Sequence, residues 1–370
     1  MEPAHPGRGQ PRTRRQLLRR TRRPRAGVRR RPHRQHRGGT MVSRIACIGL
    51  GNMGGPMAAN LVKAGHQVTG YDLVPEAVTA AEQAGVKATP TAREAVTQAD
   101  VVLTMLPSGR HVHQCYADGV LAAAPANTLF VDCSTIDVAD ARQARQDAVR
   151  AGHRAADAPV SGGVVGATAG TLTFMVGAED EDFPVLEELL SAMGRRVVHC
   201  GGSGAGQAAK ICNNMILATS MIAVSEAFAL GEKLGLSHQA LFDVASTASG
   251  QCWALTTNCP VPGPVPTSPA NNDYRPGFAA ALMHKDLGLA ANAVRSTGTH
   301  AELGLHAAQL YADFVESGGG DLDFSAIART ISAHGGEADG GPDGASDGAF
   351  DGVSEGAFDG EARDPHGEER

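Results

Sequence analysis

The stretch from Ile45 to Asp72 constrains the fold more than any other part of this chain of 370 residues. It begins with a short apolar run rich in β-branched residues and continues through the glycine turn Gly-Leu-Gly-Asn-Met-Gly at Gly49 to Gly54. A helical pattern then runs to Gly65, and a second strand pattern ends before Asp72. A strand, a glycine turn, a helix, a strand and an acid within about thirty residues are the context in which this motif indicates dinucleotide binding.

Each glycine of this turn has a separate physical role. The first permits the tight turn, the second lets a pyrophosphate approach the backbone, and the third lets the helix pack against the strand. The pyrophosphate would lie on unpaired N–H groups at the helix N-terminus, where the helix dipole favours negative charge. The acid after the second strand would accept hydrogen bonds from a ribose 2′-OH and repel a 2′-phosphate, which predicts NAD rather than NADP. The predicted cofactor residues of this stretch are Gly49, Leu50, Gly51, Asn52, Met53, Gly54 and Asp72.

The order of strand and helix patterns after Asp72 predicts the fold class. Apolar strand patterns alternate with helical patterns up to residue 157, which is typical of a parallel, doubly wound sheet. Ligands of such sheets lie beyond the carboxyl ends of the strands, where Leu106-Pro107 and Ser134-Thr135 fall. Further on, Ser161-Gly162-Gly163 offers a hydroxyl and successive flexible N–H groups. This pattern is typical of an anion-binding nest, but a plain turn between strands would have the same composition.

The chain changes character at Ala205. Residues 207–234 form one long helical pattern without proline, and no strand pattern follows Cys200. We therefore predict an α/β domain followed by an all-α domain. The predicted segments are an Arg-rich disordered extension (1–40), a Rossmann domain that binds NAD (41–204), an all-helical substrate and dimerisation domain (205–331) and an acidic, glycine-rich disordered tail (332–370).

The long helix contains a lysine, Lys210, that shares one face with Asn214. A lysine on a helix is usually a solvated surface residue, but the neighbours of Lys210 are apolar nearly all round the helix. The chain has five lysines against 28 arginines, and only lysine readily loses its proton when it is buried. A functional Lys210 and a surface Lys210 both remain open at this point, and the same holds for Lys285.

The charge is distributed unevenly along the chain. The net charge is −6, yet residues 1–40 contain fourteen arginines and one acid, whereas residues 331–370 contain eleven acids and two arginines. The arginine segment could contact nucleic acid, act as a targeting peptide or precede the working start of the chain. Its lack of serine and its few apolar residues argue against a transit peptide. We favour Met41 as the working N-terminus.

Composition also bears on metals and compartments. The seven cysteines are odd in number and never spaced C-x-x-C, and the histidines are dispersed, so we predict neither a disulfide framework nor a metal site. We find no uninterrupted apolar run of the roughly twenty residues that a bilayer span requires. We expect a soluble, cytoplasmic protein without a nucleic-acid or membrane partner.

Several motifs together resemble those of the 3-hydroxyisobutyrate dehydrogenases, within the wider β-hydroxyacid dehydrogenase family. They are GLGNMGGPMAANL, the pair Leu106-Pro107, DCSTID, DAPVSGG followed by GTLTFMVG, GAGQAAKICNNM and LMHKDLGLA. The resemblance covers about residues 41–331, and Cys252-Trp253 with the segment from Asn258 to Gly263 is similar to the 3-hydroxyisobutyrate branch in particular. It implies a Rossmann domain, a long inter-domain helix and an all-helical domain that also dimerises, in a homodimer or homotetramer.

The resemblance also implies roles for single residues. The catalytic lysine corresponds to Lys210, and the substrate-binding positions correspond to Ser161, Gly162, Gly163 and Asn214. The remaining cofactor contacts correspond to Leu106, Pro107, His111, Thr135 and Lys285. Two positions depart from the family pattern, because some relatives have asparagine at the position of His111 and most have a small residue at the position of His284.

These roles imply NAD-dependent oxidation of 3-hydroxyisobutyrate to methylmalonate semialdehyde, in valine breakdown. The lysine base must be neutral to accept the hydroxyl proton, and burial beside the positive nicotinamide would lower its pKa. Alternatives within the family are the reduction of 2-hydroxy-3-oxopropionate (tartronate semialdehyde) and of succinic semialdehyde. A catalytically silent nucleotide-binding module is a further alternative, and the presence of both Lys210 and Asp72 argues against it.

Overall fold

The computed structural model describes residues 43–334. The Arg-rich extension, the start at Met41 and the tail beyond residue 334 lie outside the described residues, so the predictions about them stay predictions. The last helix continues to His334, and it therefore includes the first residues of the segment that the sequence predicts as tail.

Within residues 43–334, nine strands form one sheet. In chain order they are β1 (Arg44–Ile48), β2 (Gln67–Tyr71), β3 (Lys87–Ala88), β4 (Val101–Thr104), β5 (Leu129–Asp132), β6 (Arg154–Asp157), β7 (Val160–Ser161), β8 (Leu172–Gly177) and β9 (Gly194–Gly201). Their spatial order is β3-β2-β1-β4-β5-β6-β8-β7, and β9 also pairs with β8. All pairs from β3 to β6 are parallel, which confirms the predicted doubly wound sheet. The strand order reverses between β1 and β4, so their carboxyl ends flank a crevice.

The sheet is not parallel throughout, which differs from the prediction. β8 is antiparallel to β6 and β7, and β9 is parallel to β8. Asp157 pairs with Gly177 and Val160 pairs with Phe174 in one register, so residues 157–161 and 173–177 form a hairpin. β8 is antiparallel because the connection from Ser161 to Leu172 is short. A parallel pair needs a crossover of a dozen or more residues. The first strand of the hairpin ends at Ser161.

Helices cover both faces of the sheet. They are α1 (Gly54–Lys63), α2 (Pro75–Gln83), α3 (Ala92–Val96), α4 (Gly109–Cys115), α5 (Leu121–Ala123), α6 (Val138–Arg150), α7 (Gly163–Ala169) and α8 (Phe183–Leu190). Side chains of α1, α2, α7 and α8 join one core, and those of α3, α4 and α6 join the other. In β1, Ile45 and Cys47 enter the first core, whereas Ala46 and Ile48 enter the second. Burial on both faces explains why the strand is a continuous apolar run in the sequence.

The second half of the described chain is helical, as predicted. Its helices are α9 (Ala205–Lys233), α10 (His238–Ala245), α11 (Trp253–Thr256), α12 (Ala280–Thr297), α13 (Glu302–Phe314) and α14 (Ile327–His334). Ser237 caps α10, because its side chain accepts a hydrogen bond from Ala240 N at 3.2 Å. α9 packs against β8 and β9 and also against α10 to α14. It therefore contributes to the packing of both the sheet and the helices.

α9 differs from the sequence expectation in one respect. By length and composition it could cross a membrane, with a mean hydropathy of 1.4 over its most apolar window. One face of the helix is buried and includes Lys210 and Asn214, and this face packs against the sheet and the neighbouring helices. A helix of this kind is typical of a protein core, where apolar composition serves packing.

Candidate active site

The glycine turn after β1 meets the steric requirements that the sequence predicts. Gly49 has φ +93°, which side chains rarely adopt, and a Cβ there would collide with the Met105 carbonyl. A Cβ on Gly54 would collide with the Gly49 carbonyl, so only glycine lets α1 lie this close to the turn. Gly51 is exposed, and no other group lies within 4 Å of the position that its Cβ would occupy. Contacts within the protein explain why Gly49 and Gly54 must be glycine. Gly51 instead leaves an open backbone surface that fits a pyrophosphate.

The beginning of α1 fits an anion for a second reason. Its N-cap residue, Met53, makes no side-chain capping bond, and the preceding Asn52 is exposed. The first N–H groups of a helix have no partner within the helix, so a phosphate can accept hydrogen bonds from them.

Asp72 follows β2 and is fixed by backbone groups. Its carboxylate accepts hydrogen bonds from Leu50 N at 2.6 Å and from Val74 N at 2.9 Å. A carboxylate has about four acceptor positions, so two remain for the hydroxyls of a ribose. The side chains of Leu73 and Val74 are exposed and apolar, and neither offers a positive charge to a 2′-phosphate.

A buried acid connects the loops that follow β4 and β5. Asp132 Oδ1 accepts hydrogen bonds from Thr104 Oγ1 at 2.7 Å and from Ser134 Oγ at 2.6 Å. Ser134 Oγ in turn accepts one from Leu106 N at 2.8 Å. Burial raises the pKa of Asp132 to about 6, although the hydrogen bonds from Ser134 and Thr104 favour the ionised form. The predicted cofactor loops are therefore linked through one carboxyl group beneath them.

Lys285 joins the same two loops from the helical half. Its Nζ donates to Thr135 O at 2.9 Å and to Pro107 O at 3.2 Å. His111 lies on α4 at the edge of this region, where its Nδ1 shares a hydrogen bond of 2.8 Å with Ser108 Oγ. Lys285 thus lies beside the two predicted cofactor loops, and its ammonium is bonded to their carbonyl oxygens.

Lys210 and Asn214 are buried on α9, one helical turn apart. Burial lowers the pKa of Lys210, the nearby Lys285 ammonium lowers it further, and Asp286 opposes both. Asn214 Oδ1 accepts a hydrogen bond from Asn213 at 3.1 Å. An amide has two N–H donors and two acceptor positions, so Asn214 keeps capacity for a ligand. A buried amine with a lowered pKa can act as a base.

Asp286 is a site residue that the sequence reasoning missed. It is 4% exposed, its Oδ2 accepts a hydrogen bond from Asn214 Nδ2 at 2.6 Å, and it faces Lys210 and Lys285. Burial raises the pKa of Asp286, while the two lysines and the bond from Asn214 lower it. The available signal was its position on the apolar face of α12, together with Met283 and Leu287.

Ser161, Gly162 and Gly163 lie at the end of the hairpin, where α7 begins. Gly162 has φ +132° and Gly163 has φ +60°, so both adopt conformations that favour glycine. A Cβ on Gly163 would lie 3.1 Å from Gly277 O. The loop therefore lies close to the helical half. No hydrogen bond within residues 43–334 joins this loop directly to Lys210 or Asn214.

The fold and the site define an NAD-dependent oxidoreductase of small hydroxy acids. Residues 44–202 match the family described as NAD binding domain of 6-phosphogluconate dehydrogenase. Residues 204–331 match the family described as NAD-binding of NADP-dependent 3-hydroxyisobutyrate dehydrogenase. Among the described residues, no group of three His, Cys, Asp or Glu side chains could hold a metal ion.

Similarity to known proteins identifies the family of this chain. The chain is 57% identical to a probable 3-hydroxyisobutyrate dehydrogenase of Mycobacterium tuberculosis, over 79% of this chain and 99% of the relative. It is 45% identical to an NAD-dependent L-serine dehydrogenase of Pseudomonas aeruginosa, over 78% of this chain and 97% of the relative. A solved structure of the M. tuberculosis 3-hydroxyisobutyrate dehydrogenase with L-serine has a TM-score of 0.77 at 57% identity, and the match covers 79% of this chain and 99% of that one. The chain belongs to the 3-hydroxyisobutyrate dehydrogenase family.

Proposed function

We propose that this protein oxidises 3-hydroxyisobutyrate to methylmalonate semialdehyde with NAD, in the breakdown of valine. The observation that carries the proposal is the environment of Lys210, a buried amine with a lowered pKa beside Asp286 and Lys285. Lys285 also holds both predicted cofactor loops near Lys210, because it donates to the carbonyls of Thr135 and Pro107. A base beside the cofactor site is what oxidation of an alcohol requires.

The proposed reaction removes a hydroxyl proton and a hydride from the same CH–OH group. When bound, NAD⁺ accepts the hydride. Lys210 is the proposed catalytic base, and its neutral Nζ takes the hydroxyl proton. Burial favours the neutral amine and so keeps a fraction of Lys210 in the reactive form. In the reverse direction, the protonated Nζ returns the proton to the carbonyl oxygen as the alcohol forms.

We assign substrate binding to the Ser161 loop and to Asn214. The Ser161 hydroxyl and the N–H groups of Gly162 and Gly163 can donate to the substrate carboxylate, since successive N–H groups in this type of turn form an anion site. The N–H of Asn214 that is not bonded to Asp286 can donate to the reacting oxygen. The proposed cofactor contacts are Gly49, Leu50, Gly51, Asn52, Met53, Gly54, Asp72, Leu106, Pro107, His111, Thr135 and Lys285.

We also propose a homodimer or homotetramer that assembles through the helical domain at 205–331. Large apolar side chains are exposed in this domain, including Ile216 and Leu230 on α9, Leu234 directly after α9 and Leu303 on α13. Patches of exposed apolar surface are typical of protein interfaces, and we assign these side chains to one. Light scattering coupled to gel filtration tests the assembly, and a monomer at micromolar concentration would contradict it.

Cytoplasmic localisation is part of the same proposal. The seven cysteines are free thiols, and a reducing compartment keeps thiols in this state. Cell fractionation followed by immunoblotting tests it, and recovery in a membrane or extracellular fraction would contradict it.

A second candidate activity is the oxidation of L-serine. The support for it is the 45% identical relative that is named an NAD-dependent L-serine dehydrogenase, together with the L-serine in the 57% identical structure. Both substrates present a CH₂–OH group beside a carbon that carries a carboxylate. They differ at that carbon, where 3-hydroxyisobutyrate has a methyl group and serine has an ammonium group.

A substrate panel decides between the activities. The purified protein is assayed with NAD⁺ against 3-hydroxyisobutyrate and L-serine, and with NADH against 2-hydroxy-3-oxopropionate and succinic semialdehyde. We expect the highest kcat/KM for 3-hydroxyisobutyrate. A higher value for L-serine would transfer the proposal to that substrate, and no turnover with any of the four would overturn it.

A further inference from the structure

A glutamine with no exposed surface connects α9 to one of the cofactor loops. Gln207 is 0% exposed, and both ends of its side-chain amide are bonded to the loop after β5. Its Nε2 donates to Ser134 O at 2.7 Å, and its Oε1 accepts from Ile136 N at 3.2 Å. The two bonds enclose Thr135, so the amide holds this residue from both sides.

The backbone of Gln207 is fixed as well. Its N–H donates to Asp157 Oδ2 at 2.9 Å, and Gly204 N donates to Asp157 Oδ1 at 2.7 Å. Asp157 lies at the end of β6, and its buried carboxylate thus accepts from the first turn of α9. Because the start of α9 is fixed on the sheet, the two side-chain bonds of Gln207 also fix the position of the loop after β5.

Gln207 precedes Lys210 by three residues on α9. Three residues correspond to about 4.5 Å along a helix, and they place the two side chains on neighbouring parts of the same face. Lys285 bonds to the carbonyl of the same Thr135 from the opposite half of the protein. The loop is therefore held by a glutamine that shares a helix with the proposed base and by a lysine from α12.

We propose that Gln207 is a positioning residue, which sets the Thr135 loop, and with it the nicotinamide end of the cofactor site, relative to Lys210. The inference rests on the proposed function, since it takes Lys210 as the base and Thr135 as a cofactor contact. Gln207 has no exposed surface, so it acts on the site through the loop that it holds. Its effect is on geometry, and a displacement of about 1 Å between reacting groups can reduce a rate by roughly 10²-fold.

Two substitutions test the proposal. Gln207→Met keeps most of the volume but removes both bonds to the loop, and we expect kcat to fall about 10- to 100-fold. We expect KM for the hydroxy acid and the Kd for NADH to change less than about threefold, because every residue that contacts these ligands is still present and only its alignment with Lys210 shifts. Gln207→Glu keeps the acceptor but cannot donate to Ser134 O when it is ionised, so its kcat at neutral pH should fall in the same way.

The pH dependence of Gln207→Glu distinguishes positioning from a general loss of packing. A protonated glutamic acid can again donate to Ser134 O and accept from Ile136 N. The ratio of its kcat to that of the wild type should therefore rise as pH falls, and the ratio for Gln207→Met should stay flat. Taking the ratio removes the titration of Lys210, which the wild type and both variants share.

Thr128→Val serves as the matched control for loss of a buried hydrogen bond. Thr128 is 2% exposed and its Oγ1 lies within hydrogen-bond distance of Pro125 O at 2.6 Å and Ala99 O at 3.1 Å, at the amino end of β5 and away from the site. We expect it to lower the melting temperature but to leave kcat within about twofold of the wild type. A folded Gln207→Met protein with kcat within threefold of the wild type would overturn the inference. If Gln207→Met does not fold, a Gln207→Glu ratio that stays constant with pH would overturn it.

The proposed function is tested separately by Lys210→Arg. A wild-type activity that is lost in Lys210→Arg but kept in Gln207→Met would contradict only the positioning role. A Lys210→Arg enzyme with nearly full activity would contradict the assignment of the base, and with it the premise of this inference.

Discussion

Asn214 on α9 donates a hydrogen bond of 2.6 Å to the carboxylate of Asp286 on α12. Asp286 also faces Lys210 and Lys285, so one buried carboxylate lies among two amines and an amide. It opposes the effect of burial on Lys210, whose pKa nevertheless remains below the ordinary value. The site therefore lowers the pKa of the proposed base by burial, while the nearby Asp286 carboxylate offsets part of that effect on the ammonium form.

The first prediction concerns Lys210→Arg, which keeps the charge and most of the packing. Arginine cannot give up its proton in a protein, and a general base typically contributes about 10²–10⁴-fold. We expect kcat for oxidation to fall by this factor while the Kd for NADH changes little. In the wild type, kcat should rise with pH as Lys210 loses its proton, and the variant should lack this step.

Lys233→Arg, the same change at an exposed position of the same helix, should leave kcat unchanged. A Lys210→Arg enzyme within tenfold of wild type would exclude the base, and Lys285→Arg would be measured next.

The second prediction separates two glycines of the turn. Gly51→Ala adds a methyl group where nothing beyond the adjacent residues of the chain lies within 4 Å, so the melting temperature should stay within about 1 °C while NADH binding weakens at least tenfold. Gly54→Ala adds the methyl group against the Gly49 carbonyl and should lower both stability and binding. Thermal melts and fluorescence titrations with NADH measure the two effects. Unchanged NADH binding in Gly51→Ala would mean that the pyrophosphate does not approach this backbone.

The third prediction concerns cofactor choice, since one of the two matching families is described as NADP-dependent. We expect a higher kcat/KM with NAD⁺ than with NADP⁺, because Asp72 would repel a 2′-phosphate. Asp72→Ser should reduce the preference at least tenfold. Glu76→Gln removes the same charge from an exposed position nearby, on α2, and should leave the preference unchanged. A wild-type preference for NADP⁺ would contradict the role of Asp72.

The fourth prediction follows from the pKa of Asp132, which burial raises from 3.8 to about 6. A carboxyl group with a raised pKa stabilises the fold most below its unfolded pKa, and this stability is lost as pH rises through the folded value. Asp132→Asn has no such loss. Relative to the wild type, its free energy of unfolding should therefore increase by roughly 1 kcal/mol between pH 5 and pH 8. Urea unfolding at several pH values measures the difference, and Asp118→Asn at an exposed position should show none. A difference that is constant with pH would contradict the raised pKa.

Features encoded by adjacent residues could be predicted from the sequence. The turn from Gly49 to Gly54 and the acid at Asp72 follow from local conformation and spacing, and the structure gives each glycine the expected surroundings. The long helix is equally local, because its pattern has no proline and continues without a break. The roles of Lys210 and Lys285 needed the family resemblance, since a lysine on a helix has no distinctive spacing.

Features that depend on pairing between distant segments could not be predicted. The short connection makes β8 antiparallel only once it pairs with residues 157–161, and the apolar pattern of a strand does not reveal its partner. Asp286 becomes part of the site only because α12 packs against α9 and brings its carboxylate to Asn214. Gln207 is a comparable case, because its partners lie more than 70 residues earlier in the chain.

The position of α9 has a consequence for how the protein unfolds. Its first turn is hydrogen-bonded to the sheet through Asp157, and its later turns form part of the core that contains Tyr311 and Phe324. Melting either half would expose apolar surface of the other, so neither is a separate cooperative unit. The architecture changes at residue 205, but calorimetry should record one transition whose van't Hoff and calorimetric enthalpies agree.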